Sequence, residues 1–128
     1  MDQDNQHLWI CSTHSDLYAV DLDGDILRQI DDPDMNLTIT GLSWFGNDPD
    51  DYSLYAFCQD GNSDRQIYKI NTENSDAILM HEPFGADGRA GSSFISGLWD
   101  PNKFVFIGMT DRPDNIYVWN IQQRSEWL

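Results

Sequence analysis

Basic side chains are scarce in this chain. Seven lysines and arginines stand against 22 aspartates and glutamates, a formal net charge of −15 over 128 residues. A field of that sign repels nucleic-acid phosphates and anionic membrane headgroups, which sets nucleic-acid binding aside and favours cations, basic partners or simple solubility. Long apolar runs are missing too, and nothing approaches the ~18 residues that a membrane span needs. The opening "MDQDNQHLWI" has neither a basic n-region nor a long apolar h-region, so it is not a signal peptide. Cysteine is down to two residues, Cys11 and Cys58, too few to fix the redox compartment. No segment holds a helical apolar period over roughly 11 residues. The 40% of hydrophobic residues that remain are ordinary for a globular chain. They suffice for one domain with a modest core, burying very roughly two-thirds of the unfolded surface.

What is present is a repeat. "DLYAVD" (16–21), "QIYKIN" (66–71) and "NIYVWN" (115–120) share one pattern: polar, aliphatic, Tyr, any residue, bulky, Asp or Asn. Tyr18, Tyr68 and Tyr117 fall 50 and 49 residues apart. Upstream of each lies a second apolar stretch, "HLWICST" (7–13), "SLYAFCQ" (53–59) and "KFVFIGMT" (103–110), with Cys11, Cys58 and Gly108 aligned. Short polar loops separate the members of each pair, a hairpin signal seen three times. "ITGLSW" (39–44) matches "ISGLWD" (95–100), and "DGDILRQI" (23–30) matches "NSDAILMH" (74–81). The unit is therefore four short antiparallel strands, an inner, a second, a third and an outer one.

Four antiparallel strands recurring at about 50 residues describe a β-propeller blade. The expected fold is all-β, a partial propeller with blade-like units over residues 7–30, 37–81 and 94–128. The first unit lacks an inner strand, and the last must find its outer strand in "QQRSEWL". That is fewer blades than the about four to eight of a closed ring. An open stack leaves two apolar sheet faces bare, so self-association is expected, most simply two copies making a six-bladed ring. Trp9, Trp119, Trp127 and Leu128 are the expected interface residues, with Trp127 as the apolar anchor of a terminal strand that completes the first unit of a second copy.

The stretch "GLSWFGNDPDDYSLYAF" followed by "QIYKINTENSD" resembles the propeller repeats of large bacterial surface and secreted proteins, some of which carry type IX secretion sorting tails. The resemblance covers most of 39–81 and, more weakly, 7–30 and 95–121. It implies a blade type and an extracellular or cell-surface setting, and it implies no catalytic residues.

Sites are few. Asp60, Asn62 and Asp64 in "DGNSD" alternate like the first ligands of a calcium loop, but Arg65 stands where glycine is needed and Asn71 where the closing glutamate belongs. A solvated hairpin loop accounts for them as well, and calcium is the one cofactor they suggest. "DLDGD" (21–25) reads as turn chemistry, and "DPDD" (48–51) as a solvated connection. Ser, His and Asp adjoin in "STHSD" (12–16), yet neighbours along one hairpin do not converge as nucleophilic catalysis requires. "HEPFGADGRAGSS" (81–93) is the longest irregular stretch and would lie on a rim, where propellers bind partners. The cysteines are expected to be two buried free thiols, because sheets pack about 10 Å apart while a disulfide needs Cα atoms within about 7 Å. "NLT" (36–38) fits a glycosylation sequon.

The residues favour a non-catalytic scaffold or interaction module that completes a ring with its own copies and presents loops to a protein or carbohydrate ligand. The alternative is a ligand-binding, metal-binding or enzymatic propeller whose site forms on the ring axis from "STHSD", "DGNSD" and "TDRPDN" (110–115) after assembly. A third reading is an engineered or excised propeller fragment.

Overall fold

A computed structural model describes residues 6–11, 16–30, 38–46, 48, 50–59, 65–81, 89–100, 103–111 and 114–120. These form ten strands and, among the described residues, no helix: β1 Leu8–Cys11, β2 Leu17–Val20, β3 Ile26–Ile30, β4 Thr38–Trp44, β5 Leu54–Gln59, β6 Arg65–Ile70, β7 Ala77–His81, β8 Arg89–Asp100, β9 Lys103–Asp111 and β10 Asn115–Asn120. They make three antiparallel sheets, ordered β1-β2-β3, β4-β5-β6-β7 and β8-β9-β10. Each is a meander in chain order. The strand-by-strand reading of the repeat matches this order, with three strands in each of the first and third sheets among the described residues. One expectation is corrected: the irregular stretch 81–93 ends early, because β8 already begins at Arg89.

The Asp or Asn after the first two tyrosine strands has a physical role. Asp21 Oδ1 accepts the backbone N–H groups of Asp23 and Asp25, both at 2.9 Å. Asn71 Oδ1 likewise accepts those of Glu73 and Asn74, at 2.8 and 3.3 Å. Each side chain folds the chain back on itself before the next strand, as Asx turns do. "DLDGD" is thus a turn, as its composition suggested.

The middle sheet is sandwiched. Alternation along β4 is strict, while β5 is buried on both faces apart from its last residue. Leu54, Ala56 and Cys58 point one way, into a layer shared with Trp9, Leu17, Ala19 and Ile30 of the first sheet. Tyr55 and Phe57 point the other way, packing with Phe106 and, more peripherally, Trp119 of the third sheet. The inner strands β4 and β8 approach closely at Gly41, where any Cβ would sit 2.7 Å from the Ser93 backbone nitrogen. Beside it, the Ser43 and Ser93 hydroxyls hydrogen-bond at 3.0 Å.

Candidate functional site

The only charged residues found buried among the described ones are Asp48 and Lys69. Asp48 lies in the connection between β4 and β5. Lys69 points from β6 toward the third sheet, beside its cross-strand partner Tyr55. Lys69 Nζ contacts both oxygens of Asp48, at 3.1 and 3.2 Å, and Asp50 Oδ2 at 3.0 Å. It also stands 5.4 Å from the centre of the Tyr52 ring, close enough for a cation–π contribution. The Tyr55 hydroxyl donates to Asp48 Oδ1 at 2.7 Å. Asp48 Oδ2 accepts the backbone N–H groups of Asp50 and Tyr52, both at 3.0 Å. "DPDD" is therefore solvated only in part: Asp50 and Asp51 are exposed, but Asp48 is 5% exposed and its carboxylate organises the loop around itself. Every oxygen of that carboxylate is engaged by the protein, so the arrangement is a lock that ties the β4–β5 loop to β6 and leaves no lone pair aimed at a ligand.

The thiols belong to the other layer. Cys58 is buried and Cys11 half-buried, and both are free. Burial raises the pKa of each thiol, with Cys58 pushed up to about 12 by its desolvation and then by the neighbouring Cys11. Such thiols are poor nucleophiles at neutral pH. Their placement corrects the aligned trio. The tyrosines Tyr18, Tyr68 and Tyr117 pair with Ile10, Ala56 and Gly108. Cys11 thus corresponds to Phe57 and Met109, and the two cysteines lie on opposed faces of one layer rather than at one repeat position.

Of the expected interface residues, Trp9 is 8% exposed inside the first layer, and its Nε1 has no hydrogen-bond partner among the described residues. A cavity of about 20 Å³ beside it, lined by Leu42, Ser43, Trp44 and Leu54, is of the order of a single water. Trp119 packs inward, with ring centroids 5.9 Å from Phe57 and 6.0 Å from Phe106. Trp9 is thus buried within the molecule, whereas Trp119 is half-buried. Trp127 and Leu128 lie outside the described residues, as do Asp60, Asn62, Asp64 and His14. Among the described residues no group of three or more His, Cys, Asp or Glu is placed to hold a metal ion.

Among the described residues, exposed apolar side chains lie along β3 and β7 and, in part, on the outer faces of the first and third sheets. On the first sheet Leu8 and Ile10 are 46% and 43% exposed and flank the half-buried Tyr18 and Val20. On the face of the third sheet that turns away from the middle one, Phe94 and Ile116 are 49% and 69% exposed. There Met109, Thr110, Asp114, Asn115 and Ile116 line an open groove of about 540 Å³. The sequence signals these faces only through the incomplete strand count, and it does not single out Leu8, Ile10, Phe94 or Ile116. No family model matches the chain, and no curated protein or solved structure matches it either.

Proposed function

We propose that the chain is a non-catalytic β-propeller scaffold whose three sheets are blades and whose copies associate to complete a ring. The observation that carries this reading is one row of repeat positions. Leu8 and Ile10 of the first sheet are 46% and 43% exposed, whereas Leu54 and Ala56, which hold the same register beneath Tyr68, are 1% and 0% exposed. The first sheet presents a face that the middle sheet buries. Contiguous apolar patches beyond a few hundred Å² are rare on soluble monomers. Covering one gains about 25 cal/mol per Å² of apolar area, part of which the loss of rigid-body freedom takes back. The formal charge of −15 opposes assembly, so added salt strengthens it by screening. The fully engaged Asp48 carboxylate supports a structural use of the buried charges in place of a catalytic one.

Sedimentation equilibrium tests the reading. The expected mass is a multiple of 14.7 kDa, rising with salt. A monomer throughout the tens-of-micromolar range, at low and at moderate ionic strength, refutes it.

A further inference from the structure

We infer that the contact between copies is head-to-tail: the Met109–Ile116 face of the third sheet inserts against the Ile10–Tyr18 face of the first sheet of a second copy. This rests on the self-association proposed above and adds which surfaces meet and with what polarity.

The two layers already inside the molecule have the same polarity. In each sheet the residue before the tyrosine, with its cross-strand partner, faces the following sheet. These pairs are Leu17–Cys11, Ile67–Phe57 and Ile116–Met109. Leu17 and Ile67 are both fully buried by the sheet that follows, while Ile116, with no following sheet among the described residues, is 69% exposed. The tyrosine and its partner face the preceding sheet. Ala56 and Tyr68 pack into the first layer, and Gly108 abuts Phe57 in the second. Ile10, with no preceding sheet among the described residues, is 43% exposed. Each sheet thus has an inserting face and a receiving face. Among the described residues the stack presents one exposed example of each, and they are the two halves of one repeated interface.

Volume agrees with the pairing. In the second layer the large Phe57 meets a glycine: a Cβ on Gly108 would lie 2.9 Å from the Phe57 ring. Between copies the receiving position is Ile10, which has a side chain to place. The inserting position is Met109, an unbranched and adaptable residue, and the open groove of about 540 Å³ beside it provides the space. Val105 and Ile107, on the same side of β9, are already buried, so docking centres on Phe94, Met109, Ile116 and Val118. A contact between non-identical faces is heterologous. It closes into a ring if the rotation per copy allows and otherwise runs on as a filament.

Two exposed-face variants, Ile10→Lys and Ile116→Lys, test this by complementation. Head-to-tail contact predicts that each variant alone sediments as a monomer with an unchanged far-ultraviolet circular dichroism spectrum. An equimolar mixture then recovers a species of twice the chain mass, because one interface between the two variants is wild-type. If the wild type associates but mixing recovers nothing, or if either variant alone still associates like the wild type, the contact is not head-to-tail and the inference falls while self-association stands. A monomeric wild type overturns both.

Discussion

The two layers that flank the middle sheet share one register and almost no chemistry. The first is built mainly from small and aliphatic side chains, Leu17, Ala19 and Ile30 facing Leu54, Ala56, Cys58 and Ile70, with the indole of Trp9 buried among them and Trp44 and Tyr68 at its margin. The second is aromatic, with Phe57 and Phe106 edge-on at 5.8 Å and Phe45 and Tyr55 at 5.9 Å, and it borders the Lys69–Asp48 pair. A single repeat position shows the contrast. Ala19, Lys69 and Val118 occupy the same place, opposite Trp9, Tyr55 and Ile107. The backbone and the inward or outward sense of each residue repeat, while the filling of each layer is negotiated locally. A lysine is tolerated where its neighbours use alanine and valine because the preceding loop supplies a carboxylate to meet it.

That difference makes the second layer the one a single change can break. Removing one partner of a buried pair leaves the other charge uncompensated, at a cost of about 3–5 kcal/mol. Asp48→Ala leaves Lys69, 0% exposed at its side chain, with only the 41%-exposed carboxylate of Asp50, and it takes an acceptor away from the Tyr55 hydroxyl and from two loop N–H groups. Lys69→Met is expected to cost clearly less, since Asp48 keeps those three donors. Urea unfolding of the two variants measures the gap. An Asp48→Ala chain as stable as the wild type would show that the lock contributes nothing.

A smaller effect probes the aromatic packing itself. Gly108→Ala places a methyl 2.9 Å from Phe57 Cε2 and 3.0 Å from Trp119 Cζ3. Both rings are held by neighbours, so the overpacking should cost roughly 1–3 kcal/mol. Thermal unfolding with no loss of midpoint would mean that the second layer yields more freely than its ring contacts imply.

Strand order and the three-fold hairpin were legible because the tyrosine motif recurs with period-2 neighbours, and the pleat leaves those few residues little choice of face. The alignment of Cys11 with Cys58 failed for the same reason. It matched small residues near the strand ends, and a slip of one residue exchanges the two faces of a sheet. Anchoring on the tyrosines instead pairs them with Ile10, Ala56 and Gly108, and the cysteines then fall on facing sides. The Asp48–Lys69 lock was illegible, because 21 residues separate its ends and an acidic loop reads the same whether it is solvated or folded over a lysine. The recurring Asp21 and Asn71 were visible as a pattern but not as the residues that close the turns.

The mildest prediction returns to the first layer and its thiols. In the folded chain Cys58 is pushed from 9.0 up to about 12, first by desolvation and then by Cys11. Unfolding releases that restraint, so above pH 9 the unfolded chain has already given up the proton that the folded chain retains. The stabilisation is therefore fully present below about pH 9 and is lost as pH climbs from there toward 12, by about 1.4 kcal/mol per pH unit for one thiol. Tyrosines and lysines also titrate in this range, so the informative quantity is the difference in stability between the wild type and Cys58→Ala. That difference is expected to hold constant up to about pH 9 and then to shift steadily against the wild type, by about the slope of a single proton. The second layer has no thiol, so Gly108→Ala measured against the wild type over the same range should show no such drift. A wild-type minus Cys58→Ala difference that stays flat into strong alkali would mean that the thiol ionises as readily in the fold as out of it, and that the first layer is wetter than its packing indicates.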